Sequence, residues 1–166
     1  ARRPGAASGQ IEPEAPDERD TCPFCEGHED RTPPEVFALP AEGREPDSPG
    51  WEVRVVPNLY PAFERQEVVI HSPRHVRTFA ELTDEEIGVV AEAWNARLAT
   101  AGSAYVHPLI NEGRSAGASL PHSHSQLVWL PEPPPAVAAE RPEGLTELVE
   151  SARERNLVVA EADDLL

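Results

Sequence analysis

Pro121-His122-Ser123-His124-Ser125-Gln126 runs directly into Leu127-Val128-Trp129-Leu130. Successive side chains of a β-strand point to opposite faces. As a strand, this segment puts His122, His124 and Gln126 on one face and Ser123 and Ser125 on the other. Two imidazoles and an amide on a single face can act on one small anionic group. A lone strand histidine is more often a satisfied core residue. His-x-His-x-Gln entered from a loop of small residues (Gly113, Gly117, Ser119) reverses that preference.

Outward from this strand, alternating patterns predict further strands. Trp51–Val56 and Glu67–His71 alternate and are β-branched, and Ala104–Asn111 is a third run, with Pro108 marking an edge or a bulge. Thr83-Asp84-Glu85-Glu86 has the form of a capping box, and Ile87, Val90, Ala91, Trp94 and Leu98 follow at helical spacing. Residues 84–99 are therefore expected to be an amphipathic helix. Beyond the stiff linker Pro131–Pro135, a second helix is expected from Leu145 to Arg155 and a new strand from Leu157. Residues 1–20 read as an extended N-terminal arm, 21–135 as the main domain with a cysteine knuckle, and 136–166 as a helix and strand leading onward. The pattern fits an α+β fold: an antiparallel sheet with helices on one face.

Composition narrows the function. The chain has 166 residues and a formal charge of −16, with 30 acidic against 14 basic residues, which argues against nucleic-acid binding. An anionic substrate must then be met by local donors rather than by the overall field. Every basic residue is Arg, so lysine chemistry is excluded. No apolar run reaches the ~20 residues that span a bilayer, and the start lacks a secretory signal, so no membrane partner is expected. Two cysteines form no disulfide framework and suggest a reducing cytoplasm. The chain begins at Ala1 without Met, and further residues are expected before it.

Cys22-Pro23-Phe24-Cys25 admits three readings: a redox pair, two inert thiols, or half of a metal site. Redox use wants a helix N-terminus beside the thiol, and the Pro, Asp, Glu and Gly flanks give no such signal. Metal binding is the preferred reading, with zinc in a Cys₂His₂ set. Six histidines (His28, His71, His75, His107, His122, His124) could complete it, and spacing alone does not choose among them. The motif histidine left free of metal is a candidate nucleophile toward phosphorus, with Gln126 and the backbone of the loop from Gly113 to Ser119 as donors to the phosphoryl oxygens.

Five blocks in order resemble the galactose-1-phosphate uridylyltransferase family of the histidine-triad superfamily. They are Cys22–Cys25, Pro57–Phe63, Ser72-Pro73-Arg74-His75, Asn111-Glu112-Gly113 and Gly117–Gln126. The resemblance covers mainly the family's N-terminal half. It implies a histidine-triad-like half-barrel sheet, with His124 as the nucleophile. It further implies a zinc site of Cys22, Cys25, His75 and His122, and Gln126 hydrogen-bonded to the phosphoryl group. Asn111, Gly117 and Ser119 would line the phosphates, Asn58, Leu59 and Tyr60 would contact the nucleoside, and Arg3 would reach the nucleotide phosphates. Ser123 and Ser125 stand where many relatives have Pro and Gly or Cys.

The activity implied is transfer of a uridylyl group from UDP-glucose to galactose 1-phosphate, with a UDP-hexose and a hexose 1-phosphate as ligands and a homodimer as the working form. Two alternatives are an adenine-nucleotide phosphorylase or adenylyltransferase, and a zinc-stabilised nucleotide-binding module without turnover. Because family members carry a second, similar half, the remainder of such a protein is expected beyond Leu166.

Overall fold

The computed structural model describes residues 14–158. Arg3 and most of the expected arm lie outside the described residues. Five strands, β1 (Phe37–Leu39), β2 (Val53–Pro57), β3 (Arg65–Ile70), β4 (Tyr105–Ile110) and β5 (His124–Leu130), form one antiparallel sheet ordered β1-β2-β3-β5-β4. The fold is α+β, as the alternation implies. Pro108 does sit on an edge strand, as its lack of an N–H donor implies. β1 has no counterpart in the sequence patterns, because three residues between proline-punctuated loops are too few to show a period. His122 falls just before the ladder, in a bend, so the strand begins at His124 rather than His122.

Alternation then sorts the two faces. On one, Val53, Val55, Val69, Val106, Leu127 and Trp129 pack against Val90 and Ala93 of the helix α2 (Asp84–Leu98). On the other, Ala38, Val56, Val68 and Ile70 pack with Trp51, Phe24 and Cys22. Register places Ile70 opposite His124 and Val68 opposite Gln126. The functional half of β5 therefore shares the cysteine face, while Ser123 and Ser125 turn toward α2.

The start of α2 is set by the capping box the sequence predicts. Thr83 Oγ1 accepts from the Glu86 amide at 3.2 Å, and Glu86 Oε2 accepts from the Thr83 amide at 2.9 Å. Glu86 does more than cap: it accepts from Ser72 Oγ at 2.8 Å and from Arg74 Nη2 at 2.7 Å, fastening the segment that leads to His75. On the cysteine face, Arg54 is almost wholly buried. It donates to Glu35 at 2.9 Å, Thr32 at 2.7 Å and Asp47 at 2.6 Å, and Arg44 also pairs with Glu35. A guanidinium buried without such partners would cost several kcal/mol, on the order of 3–5. The network ties the loop preceding β2 to the sheet.

A second compact unit begins at Glu132. It holds α3 (Pro135–Ala138) and α4 (Pro142–Glu154). α4 starts at Pro142 rather than Leu145, because proline suits the first helical turn. No strand forms at Leu157 and Val158: Asn156 adopts φ 55°, and the Leu157 amide turns back to Ala152 O at 2.9 Å, closing the helix instead. The rest of the expected strand lies outside the described residues. Among the described residues no helix is long and apolar enough to cross a membrane.

Candidate active site and metal centre

The short helix α1 (Glu18–Thr21) delivers the chain to Cys22. The Cys22–Cys25 knuckle then folds over its own sulfur, with the Phe24 amide donating to Cys22 Sγ at 3.4 Å. Two histidines from distant segments meet it. Cys22 Sγ lies 3.4 Å from His122 Nδ1, and Cys25 Sγ lies 3.2 Å from His75 Nδ1 and 3.7 Å from His122 Nδ1. All four ligand atoms fall within 4.8 Å of one another, and the group could hold a metal ion. Tetrahedral coordination with metal–sulfur and metal–nitrogen bonds of ordinary length separates S from N by roughly 3.5 Å. The observed spacing fits that geometry.

The surroundings orient each ligand. His75 Nε2 donates to Glu18 Oε1 at 2.9 Å, and His122 Nε2 donates to Ser72 O at 2.9 Å. With the proton placed on Nε2, each ring turns its Nδ1 lone pair to the sulfurs, the arrangement by which outer partners fix metal-binding histidines. His28 Nδ1 lies 2.7 Å from Cys22 O and braces the knuckle from outside. Burial and the neighbouring Cys22 push the Cys25 thiol up to about 12, and burial pushes His122 down to about 4. The pocket therefore disfavours charge on its own groups, and a bound cation would favour the thiolates. Of the six histidines, the structure brings His75 and His122 to the cysteines.

Two residues past the bend, His124 is buried beside Phe24, whose ring meets it edge-on at 5.3 Å. Its Nδ1 donates to His122 O at 2.6 Å. That bond holds the proton on Nδ1 and leaves Nε2 with a lone pair. Burial lowers the ring's pKa, which keeps it neutral at physiological pH. Gln126 follows on the same face. Its Oε1 accepts from Asn58 Nδ2 at 3.3 Å and from Gln66 Nε2, so the oxygen end of its amide is fixed by these two donors. Asn58 Oδ1 in turn accepts from the Tyr60 amide at 2.9 Å, shaping a turn on which Leu59 and Tyr60 are exposed. Register places Leu109 beside Gln126 on the edge strand, and Asn111 follows β4 directly. The loop beyond makes a short turn over Arg114–Ala116 between Gly113 and Gly117, whose φ values of 74° and 90° only glycine adopts without strain. Gly117 and Ser119 are exposed on it.

Sequence reasoning missed Glu18, Gln66, Phe24 and the second role of Glu86. Phe24 lies inside the cysteine motif, where an apolar residue between two ligands was a usable signal. The others act through tertiary contacts that no local pattern announces.

A five-stranded antiparallel sheet whose inner strand is entered through His122-Ser123-His124-Ser125-Gln126 has the architecture of the histidine-triad class. A sequence model described as the galactose-1-phosphate uridyl transferase N-terminal domain matches residues 60–132. An ADP-glucose phosphorylase from Arabidopsis thaliana is 33% identical over 145 residues, covering 72% of this chain and 40% of that protein. The crystal structure of an ADP-glucose phosphorylase from the same plant with bound ADP-glucose aligns at 34% identity with a TM-score of 0.66, over 78% of this chain and 46% of that one. A uridylyltransferase mutant structure aligns at 25% identity and a TM-score of 0.58, over 88% and 48%. The chain thus resembles the galactose-1-phosphate uridylyltransferase family, with the match to the N-terminal-domain model falling on residues 60–132. It spans less than half the length of these relatives.

Proposed function

We propose that this site transfers a nucleotidyl group from a nucleotide sugar through a covalent histidine intermediate. The observation that carries the reading is the 2.6 Å bond from His124 Nδ1 to His122 O, which leaves Nε2 as the free nucleophilic atom. In the first step Nε2 attacks the α-phosphorus, the bond to the bridging oxygen breaks, and hexose 1-phosphate leaves. In the second, an acceptor phosphate oxygen attacks the same phosphorus and the N–P bond breaks, restoring His124. Gln126 donates an amide N–H to the phosphoryl oxygens throughout. Asn111, Gly117 and Ser119 line the phosphates, Asn58, Leu59 and Tyr60 meet the nucleoside, and Arg3 adds a phosphate contact. Cys22, Cys25, His75 and His122 hold zinc, which joins three separate segments and so positions the start of β5.

The 33% identity to an ADP-glucose phosphorylase favours ADP-glucose over UDP-glucose as donor, with inorganic phosphate as acceptor in place of galactose 1-phosphate. A homodimer remains the proposed assembly and cytoplasm the proposed location.

The test is incubation of the protein with ADP-glucose or UDP-glucose carrying label in the α-phosphate. Acid-labile, base-stable label on the protein, lost in His124→Asn, is expected, with ADP-glucose the better donor. Binding of nucleotide without any labelled protein would instead assign a nucleotide-binding module without turnover.

A further inference from the structure

His71 stands behind the motif, on the α2 side of the sheet, with no solvent exposure. Its Nδ1 lies 2.9 Å from Ser123 Oγ and its Nε2 3.0 Å from Ser125 Oγ. Trp94 Nε1 donates to the same Ser125 Oγ at 2.8 Å, and the rings of Phe79 and Trp94 pack edge-on against the imidazole at 5.3 and 6.1 Å. One buried imidazole thus clamps the two serines that alternate with the motif histidines. Burial pushes its pKa down to about 3, so the ring is neutral and supplies one donor and one acceptor.

The connection to His124 runs through a single peptide unit. The Ser123 amide donates to Val76 O at 2.7 Å. The carbonyl at the other end of that peptide is His122 O, which accepts from His124 Nδ1. The Ser123 carbonyl also accepts from the His71 amide at 3.3 Å. Ser123 is therefore held at its amide, its carbonyl and its hydroxyl, and the plane of the His122–Ser123 peptide is fixed.

We propose that His71, acting through Ser123, is a positioning residue for His124: it locks the His122–Ser123 peptide so that His122 O keeps the proton on Nδ1 and Nε2 stays unprotonated. The proposal rests on the role of His124 as nucleophile. It also gives the serines a purpose. They are the polar contacts of a buried histidine rather than solvent-facing spacers.

Asparagine and glutamine separate the two arms of the imidazole, because an Asn amide nitrogen superposes on His Nδ1 and a Gln amide nitrogen on His Nε2. Zinc-loaded, ¹⁵N-labelled full chain is compared as wild type, Ser123→Ala, His71→Asn and His71→Gln. Long-range ¹H–¹⁵N spectra read the His124 tautomer, and single-turnover labelling from ADP-glucose and UDP-glucose reads the first chemical step. Ser123→Ala and His71→Gln are expected to shift His124 toward the Nε2–H tautomer. They should slow labelling roughly ten- to a hundredfold at unchanged zinc content and donor affinity, the scale of a small misplacement of a reacting group. His71→Asn is expected to keep the wild-type tautomer and most of the rate.

An unchanged tautomer in Ser123→Ala, or equal loss in the Asn and Gln variants, would overturn the proposal, as would slowing that tracks loss of zinc. If the wild type takes up no label, the nucleotidyl-transfer reading fails while the tautomer comparison still decides the role of His71.

Discussion

His75 presents its two ring nitrogens to different partners: Nδ1 lies 3.2 Å from Cys25 Sγ, and Nε2 donates to Glu18 Oε1 at 2.9 Å. Glu18 also pairs with Arg77 at 3.0 Å, and its carboxyl is held below the usual range by the His75 bond against the opposing effect of burial. An ionised carboxylate behind a metal-binding histidine fixes the ring and raises its basicity. Glu18→Gln should weaken zinc binding roughly ten- to a hundredfold. Competition with a chromophoric chelator measures this directly, and an affinity equal to wild type would show that Glu18 serves only the fold.

Glu86 gives a pH signature. The Arg74 guanidinium, joined by the Thr83 amide and the Ser72 hydroxyl, pulls its pKa from an ordinary 4.5 down to about 2. A carboxylate with a depressed native pKa stabilises the fold fully above its unfolded value and loses that contribution as pH falls through the native one. The window here is pH 4.5 to 2. Glu86→Gln should cost about 1 kcal/mol at pH 7, the scale of a lost cap, and the gap to wild type should close across that window. Urea melts at pH 7, 4 and 2.5 follow it. A gap that is constant with pH would mean the Gln loses packing rather than charge.

Legibility in the sequence divided along physical lines. Period and turn chemistry belong to the local chain, so Trp51–Val56, Glu67–His71, the capped helix after Thr83 and the edge proline Pro108 were all readable. β1 was too short to carry a period, and the strand at Leu157 gave way to the left-handed turn at Asn156. For the site, the cysteine pair and the alternating histidines are local signals, while the choice of His75 and His122 among six histidines came from the family resemblance. Glu18, Gln66 and His71 sit 57, 60 and 52 residues from His75, Gln126 and Ser123 respectively. A contact made only when the sheet closes leaves no trace in local spacing.

Leu127 tests whether the sheet's two faces act independently. It is wholly buried against Val90 and Ala93 on the α2 side, while its neighbour Gln126 faces the site. Leu127→Ala should destabilise the domain by about 2–5 kcal/mol through lost burial and the cavity left behind. At temperatures where the variant stays folded, zinc stoichiometry should be that of wild type. Loss of zinc from folded Leu127→Ala would mean that packing on the α2 side sets the metal site.

Gln66 and Gln126 make a sharper prediction about chemistry. Gln66 Nε2 and Asn58 Nδ2 both donate to Gln126 Oε1, and this fixes the orientation of the Gln126 amide, leaving its N–H groups for the proposed phosphoryl contact. A donor aimed at phosphoryl oxygens gains strength as charge develops in the transition state. Gln126→Glu replaces that donor by an anion and should lower the rate of protein labelling by roughly 10²–10³. Gln66→Glu acts differently, because a carboxylate in that place accepts from the Gln126 amide nitrogen and favours the flipped amide. It should slow labelling while leaving Gln126 itself intact. Combining Gln66→Glu with Gln126→Glu should then add little to the loss from Gln126→Glu alone, since both changes remove one interaction. Single-turnover labelling rates of the two single variants and the double variant complete the cycle, and fully additive losses would show that Gln66 acts on the site by some route other than the Gln126 amide.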